Sequence, residues 1–263
     1  MKLAVFGNSH VGAWQTAWPE IAPQFPDVDV SFFGVPEMIH RGFRISDDGM
    51  FAAPNLSKES EERLLGINKK CQLDLSEFDQ HVWVGTKWSP EVAISMAITG
   101  DIEDAQASEN VRTLYSIPFL DKCMAKAVDG IFSSSNVNLN SAIKPTLFGR
   151  PIYAKTCQNS LHHLYEAWRQ TKDLEYQRAL FLDRYVHLIR ERFAKDQHQF
   201  LAPPRDLWGH SGATDEAYLA AGGGVVNPKK PNARGDHSHM NASYGARCMK
   251  DYLKSLEKSN TGS

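Results

Sequence analysis

The sequence predicts an α/β protein with a central, mostly parallel sheet of about five strands in a three-layer α/β/α sandwich. Short apolar runs with strand character alternate with segments of helical periodicity along the 263 residues. Strands separated by helices favour a parallel sheet that is covered on both faces. The chain length suits one large domain better than two. We therefore expect a single domain over residues 1–263.

The strand candidates are short apolar segments, most of them closed by glycine or proline. They are Lys2–Phe6, Val28–Phe33, His81–Val84, Pro151–Ala154 and Gln199–Leu201. The first strand leads into an apolar helical pattern that Pro19 is expected to end or kink. Apolar residues recur at helical spacing over 182–193 and again over 244–256. Both stripes predict amphipathic helices that face the core.

Three further segments are expected to be insertions or loops. Residues 44–51 have the turn chemistry of a small hairpin, inside an insertion around 42–70. The polar stretch 133–141 is typical of a loop. A long loop rich in Pro, Gly and Asn is expected around 202–235, apart from a short helical piece near 215–221. A long irregular segment in a compact domain is commonly functional or mobile.

Composition and charge exclude several classes of partner. The formal net charge of -2 gives no reason to expect nucleic acid or an anionic membrane. No stretch is apolar enough for a membrane span, and the N-terminal apolar run is too short for a signal peptide, which predicts a cytoplasmic protein. The four cysteines lie far apart without metal-like spacing and are expected to be free thiols. No cofactor is implied.

Ser9 is the first candidate for chemistry. A strand that ends in Gly-Asn-Ser and turns into a helix places the serine at the carboxyl edge of the sheet, where open α/β sheets usually bind ligands. The helix N-terminus adds N–H groups and partial positive charge, so an oxyanion beside Ser9 would meet the serine's own backbone N–H. A purely structural alternative is that Ser9 caps the helix.

Asp236 and His239 supply the complementary groups just before the last helix. A serine hydroxyl needs a base, and histidine suits that role near neutral pH. A carboxylate that accepts from the other ring nitrogen fixes the imidazole tautomer. Two alternatives stay open: Asp236 or Asn241 caps the last helix, or Asp236, His237 and His239 ligate a metal, for which the sequence offers no convincing further ligands.

These two segments together resemble the SGNH (GDSL-like) hydrolases. Gly7-Asn8-Ser9-His10 is similar to their nucleophile block, usually Gly-Asp-Ser, and Asp236-His237-Ser238-His239 to their final Asp-x-x-His block. The resemblance implies a flavodoxin-like sandwich, with Ser9 as nucleophile, His239 as general base and then acid, and Asp236 as its orienting partner. It also implies an oxyanion hole built by Ser9, Gly34 and a residue after the third strand.

The third block departs from the family. Where SGNH hydrolases usually have Gly-x-Asn-Asp, this chain has Gly85-Thr86-Lys87-Trp88, so the expected Asn donor is missing. Gly85 keeps the glycine position. Lys87 is one candidate substitute, and three asparagines elsewhere are others: Asn136, Asn138 and Asn159. The gap is compatible with a specialised acidic substrate or with acyl transfer.

The leading functional hypothesis is a serine esterase that hydrolyses a small O-acyl ester, such as an acylated glycan or related metabolite. Alternatives are an O-acyltransferase with the same triad and a weakened SGNH-like module that binds a glycan or a protein. Candidate substrate contacts are His10, Lys87, Trp88 and Trp208, since tryptophan offers a large flat face for stacking. Trp83 is expected to pack in the core.

Overall fold

The computed structural model describes residues 1–102, 113–133, 141–221 and 235–261. In chain order its strands are β1 (Lys2–Gly7), β2 (Asp29–Gly34), β3 (Arg44–Ile45), β4 (Met50–Ala52), β5 (Leu73–Asp74), β6 (Gln80–Thr86), β7 (Asp101–Ile102), β8 (Leu114–Tyr115), β9 (Thr146–Gly149) and β10 (Phe200–Leu201). Its helices are α1 (Val11–Ile21), α2 (Glu37–His40), α3 (Lys58–Asn68), α4 (Glu91–Thr99), α5 (Ile117–Ser133), α6 (Glu166–Gln170), α7 (Glu175–Lys195), α8 (Arg205–Trp208) and α9 (Ala242–Thr261).

The central sheet has five strands in the order β10-β9-β6-β1-β2, and all of them pair in parallel. Helices cover it: α1 packs against α9, while α7 packs against α4 and α5. The predicted α/β/α sandwich with a five-stranded parallel sheet is therefore confirmed. The sheet strands carry the core, since β1 is almost entirely buried from Leu3 to Gly7.

The strand order reverses beside β1. The chain runs from β1 to β2 on one side and then returns to β6 on the other side of β1. Right-handed crossovers that leave in opposite directions place their helices on opposite faces, which opens a crevice at the carboxyl ends of the two strands. Ser9 follows β1 and Lys87 follows β6. Both therefore lie at this crevice.

The fourth strand differs from the prediction. It spans Thr146–Gly149, whereas Pro151–Ala154 is extended chain with one isolated bridge, from Ala154 to Thr214. The physical reason is that each Thr146–Gly149 residue is buried between β6 and β10, so its short apolar run carries the ladder. Pro151 lacks the N–H donor that a central strand needs.

The other elements largely match their predictions. The hairpin is present as antiparallel β3 and β4, and α3 follows it. Pro19 lies inside α1, which runs on to Ile21, so it does not end the helix. The expected helical piece near 215–221 is a 3₁₀ turn over Glu216–Tyr218, preceded by α8. Most of the loop predicted over 133–141, and part of that predicted around 202–235, lies outside the described residues.

Two global features accompany this fold. The four cysteines are free thiols, with Cys157 and Cys248 buried and Cys71 and Cys123 partly buried. Across the described ranges, no helix combines the length and apolar character that a membrane crossing requires.

Candidate active site

Ser9 lies in the turn between β1 and α1. Its Oγ lies 2.8 Å from His239 Nε2. Helix α1 has His10 at its N-cap position and no side-chain cap, so Ser9 does not serve as the cap. The Asn8 Oδ1 instead accepts from the His10 backbone N–H at 3.1 Å, which closes the turn. The serine hydroxyl is therefore available to the cavity.

His239 and Asp236 reach Ser9 from the segment that precedes α9. His239 Nδ1 lies 2.9 Å from Asp236 Oδ2, while the other carboxylate oxygen accepts from the Ser238 and His239 backbone N–H groups at 3.2 and 3.0 Å. The three residues form one chain of hydrogen bonds from hydroxyl to imidazole to carboxylate. Such a chain lets an imidazole accept a proton from serine while the carboxylate holds its tautomer.

The packing of two helices brings these distant segments together. Helices α1 and α9 lie against each other so closely that a Cβ on Gly245 would be 2.1 Å from the Ala13 carbonyl oxygen. Ala13 and Gly245 both lie near the N-terminal ends of their helices. The residues just before each helix, Ser9 and His239, are consequently neighbours.

The electrostatics of the pair favour a charged carboxylate. Partial burial opposes ionisation of Asp236, but the backbone N–H and the ring of His239 outweigh it and hold the pKa of Asp236 below its ordinary value. The side chains of His239 and Asp236 are 46% and 47% exposed, so water also reaches them. Asp236 is therefore anionic near neutral pH and able to stabilise an imidazolium.

The triad opens into a cavity of about 910 Å³ at the carboxyl edge of the sheet. Its polar wall includes Asn8, Lys87, Glu91, Arg150 and Tyr153, together with residues of α2. The cavity is large enough to admit a small ester with both its acyl and its alcohol part.

The oxyanion donors only partly fit the family pattern. The Ser9 backbone N–H has no hydrogen-bond acceptor among the described residues, so it is free to donate. Gly34 does not fit: its N–H donates to Asn68 Oδ1 at 3.0 Å, and it is not part of the cavity wall. Gly85 lines the cavity, and its φ of 86° favours glycine. Its missing side chain leaves room for Asn8, whose Nδ2 donates to the Gly85 carbonyl at 3.0 Å.

The other candidate oxyanion donors differ in whether they line the cavity. Lys87 is exposed and lines the cavity, and its contact with substrate stays a prediction. Asn159 is exposed and is not part of the cavity wall. Asn136 and Asn138 lie outside the described residues.

His10 lines the cavity beside the triad. Its ring centroid is 5.3 Å from that of His239. Burial, together with the nearby His239 and Arg150, lowers the pKa of His10 to about 3. His10 is therefore a neutral imidazole near pH 7, able to donate or accept one hydrogen bond.

Two tryptophans predicted to contact substrate do not line the cavity. Trp88 is fully buried and stacks near Tyr185, and its Nε1 donates to the Arg150 carbonyl at 2.8 Å. Trp208 is also buried, and its Nε1 donates to the Pro203 carbonyl at 3.1 Å. Burial of their large apolar faces stabilises the folded chain more than exposure of them to water would. Trp83 packs in the core, as expected, although it also contributes to the cavity wall.

The alternatives for the last segment are also resolved by geometry. Asn241, not Asp236, caps α9, since its Oδ1 accepts from the Tyr244 N–H at 3.1 Å. His237 is buried and turned toward Thr156, whose Oγ1 lies 3.0 Å from its Nδ1. Because His237 and His239 use different partners, this arrangement does not present them together as metal ligands.

Asn8 and Arg150 line the cavity, although the sequence alone did not single them out as site residues. Asn8 lies in the Gly-Asn-Ser turn beside the candidate nucleophile, where its residue type alone does not indicate a separate role. Arg150 comes directly after β9, at the same edge of the sheet as Ser9 and Lys87. The misplaced fourth strand concealed this signal, because the prediction put Arg150 before a strand instead of after one.

Comparison of the sequence with known protein families and with curated proteins found no match.

Proposed function

We propose that this chain is an SGNH-type serine hydrolase that cleaves a small O-acyl ester through an acyl-enzyme on Ser9. The observation that carries the proposal is the continuous hydrogen-bond chain from Ser9 Oγ through His239 to Asp236, opening into a cavity. The order of the blocks along the chain and the parallel five-stranded sheet are also those that the SGNH resemblance implies.

In the proposed acylation step, Ser9 Oγ attacks the ester carbonyl carbon while His239 Nε2 takes the hydroxyl proton. The carbonyl electrons move onto oxygen and return as the bond to the alcohol breaks. The alcohol leaves with the proton from His239, and the acyl group remains on Ser9. Asp236 holds the Nδ1–H tautomer and stabilises the transient imidazolium.

Two donors of the nucleophile turn suit the oxyanion in this proposal. The Ser9 N–H is free among the described residues, and the Asn8 amide keeps a second N–H beyond its bond to Gly85. Asn8 would then stand in for the asparagine absent from the third block. Deacylation repeats the chemistry in reverse, with His239 activating water to attack the acyl carbon.

The proposal is tested by the hydrolysis of p-nitrophenyl acetate by the wild type and two variants. Ser9→Ala and His239→Ala are each expected to lower kcat by about 10³-fold or more, because each removes a group on which the others depend. Ser243→Ala, which removes an exposed hydroxyl in the first turn of α9, serves as the control. Product analysis with added methanol separates transfer to water from transfer to a hydroxyl. Unchanged turnover in Ser9→Ala would show that the triad assignment is wrong.

A further inference from the structure

Arg150 is a cation in the cavity wall whose guanidinium makes few hydrogen bonds with the protein, although its carbon lies 6.0 Å from the centre of the Tyr153 ring. Its side chain is 21% exposed, and its carboxylate neighbour, Glu91, lies 3.7 Å away, beyond hydrogen-bond distance. The guanidinium makes no hydrogen bond with any other described residue. Five N–H donors in a partly buried place normally find acceptors. A ligand oxygen in the cavity would supply them.

The backbone of Arg150 is held in a fixed place relative to Lys87. The Arg150 N–H donates to the Thr86 carbonyl at 3.0 Å, and the Arg150 carbonyl accepts from Trp88 Nε1 at 2.8 Å. Thr86, the last residue of β6, and Trp88 flank Lys87 in the chain, so both cations are anchored to one short stretch at the end of β6. Lys87 has no ion pair with a described residue, and it lines the same cavity.

The acidic groups of the cavity offset the charge of this pair of cations only in part. Asp236 is engaged by His239. Glu91 Oε1 lies 3.7 Å from the Arg150 guanidinium, so it offsets one of the two positive charges without a hydrogen bond. Glu37 lies on α2, where its charge acts on His40. The side of the cavity formed by Arg150 and Lys87 therefore keeps unmatched positive charge.

We infer that Arg150, assisted by Lys87, binds a carboxylate on the substrate, so that the natural ester carries an anionic group in its acyl or its alcohol part. The inference rests on the proposed function for the position of the scissile bond. A planar guanidinium with parallel N–H groups matches the two oxygens of a carboxylate, and Lys87 adds a second charge. Such a carboxylate site would favour charged esters over a neutral acetyl ester.

The test uses two matched pairs of esters and measures kcat/KM for each. One pair is p-nitrophenyl hydrogen adipate and its methyl ester, with the charge in the acyl part. The other is 4-acetoxybenzoate and its methyl ester, with the charge in the alcohol part. The wild type is expected to prefer the charged member of one pair, which identifies the part that carries the carboxylate.

Three variants separate binding from structure. Arg150→Gln is expected to lower the charged-to-neutral ratio about tenfold or more, which is the worth of a charge-assisted hydrogen bond, while Arg150→Lys keeps part of it. Glu91→Gln should raise the charged-to-neutral ratio. The change removes a carboxylate that competes with the substrate for Arg150 and whose negative charge repels that of the substrate. Arg63→Gln, an exposed arginine on α3, controls for net charge. A ratio unchanged by Arg150→Gln, or an equal loss on both esters, would overturn the inference.

A binding measurement keeps the inference separate from the proposed function. The affinity of the Ser9→Ala variant is measured by calorimetry for two acid and ester pairs: monomethyl and dimethyl adipate, and 4-acetoxybenzoate and its methyl ester. A preference for the acid over its methyl ester supports the carboxylate site if Arg150→Gln abolishes it. This holds even if the chain hydrolyses no ester. Equal affinity for acid and ester in both pairs would refute the site even if Ser9 proves to be a nucleophile.

Discussion

Replacing Asp236 by asparagine is the change that best isolates the role of the carboxylate. In the folded chain Asp236 Oδ1 accepts the two backbone N–H groups, and Oδ2 faces His239 Nδ1 at 2.9 Å. Asparagine keeps an oxygen for the backbone donors but places an NH₂ group opposite the ring. His239 then carries its proton on Nε2, and it can no longer accept one from Ser9.

The expected loss can be estimated from the exposure of the pair. The equivalent change in a buried triad costs about 10⁴-fold in kcat. Here the two side chains are 46% and 47% exposed, so water solvates part of the imidazolium charge. We therefore expect a smaller loss, of about 10²- to 10³-fold. Because the backbone acceptor is kept, the free energy of unfolding should change by less than about 1 kcal/mol.

The assay is kcat for p-nitrophenyl acetate, with unfolding in urea measured on the same preparations. Asp236→Ala is the companion variant, since it removes the acceptor for the backbone N–H groups as well and should cost stability. An Asp236→Asn protein that folds normally and keeps kcat within about fivefold of the wild type would refute the orienting role.

Three further changes probe the surroundings of the triad. The pKa of His10 is lowered from 6.5 to about 3, so the unfolded chain takes up a proton first as the pH falls below 6.5. At pH 5 this costs about 2 kcal/mol of stability, and His10→Gln should remove that acid sensitivity in urea titrations. An equal pH dependence of the free energy of unfolding in the wild type and His10→Gln would contradict this prediction. Gly85→Ala puts a Cβ 2.0 Å from Asn8 Oδ1 at a φ of 86°, which should cost about 1–3 kcal/mol by chemical unfolding and lower ester turnover. Wild-type stability and wild-type ester turnover in Gly85→Ala would contradict the close contact between Gly85 and Asn8. Gly245→Ala meets the Ala13 carbonyl oxygen at 2.1 Å and should lower Tm by several degrees, through about 1–3 kcal/mol of strain; an unchanged Tm would mean that the helices can separate freely.

The periodic parts of the fold were predictable from sequence, whereas the short interior strand β9 was not. Strand β1 and helix α7 have patterns long enough to identify their structure. The four-residue strand Thr146–Gly149 has no such pattern, and its place in the sheet is decided by β6 and β10 on either side. Tertiary pairing decides such segments, so local propensity cannot.

The part of the candidate site that was predictable from sequence is the part formed by short local motifs. Asp236 and His239 lie three positions apart on one segment, and Ser9 follows the first strand, so their meeting at one sheet edge could be foreseen. Arg150 was missed because its position depends on where β9 ends. Trp88 was misjudged because a loop position does not reveal that its ring turns inward to Arg150.

The central claim is that Ser9 is an activated nucleophile, and covalent labelling tests it most directly. The intact protein is treated with a fluorophosphonate, its mass is measured, and the modified peptide is mapped. We predict one adduct, on Ser9, that forms in the wild type and is lost in His239→Ala. No adduct on Ser9, or an adduct that persists without His239, would contradict the account.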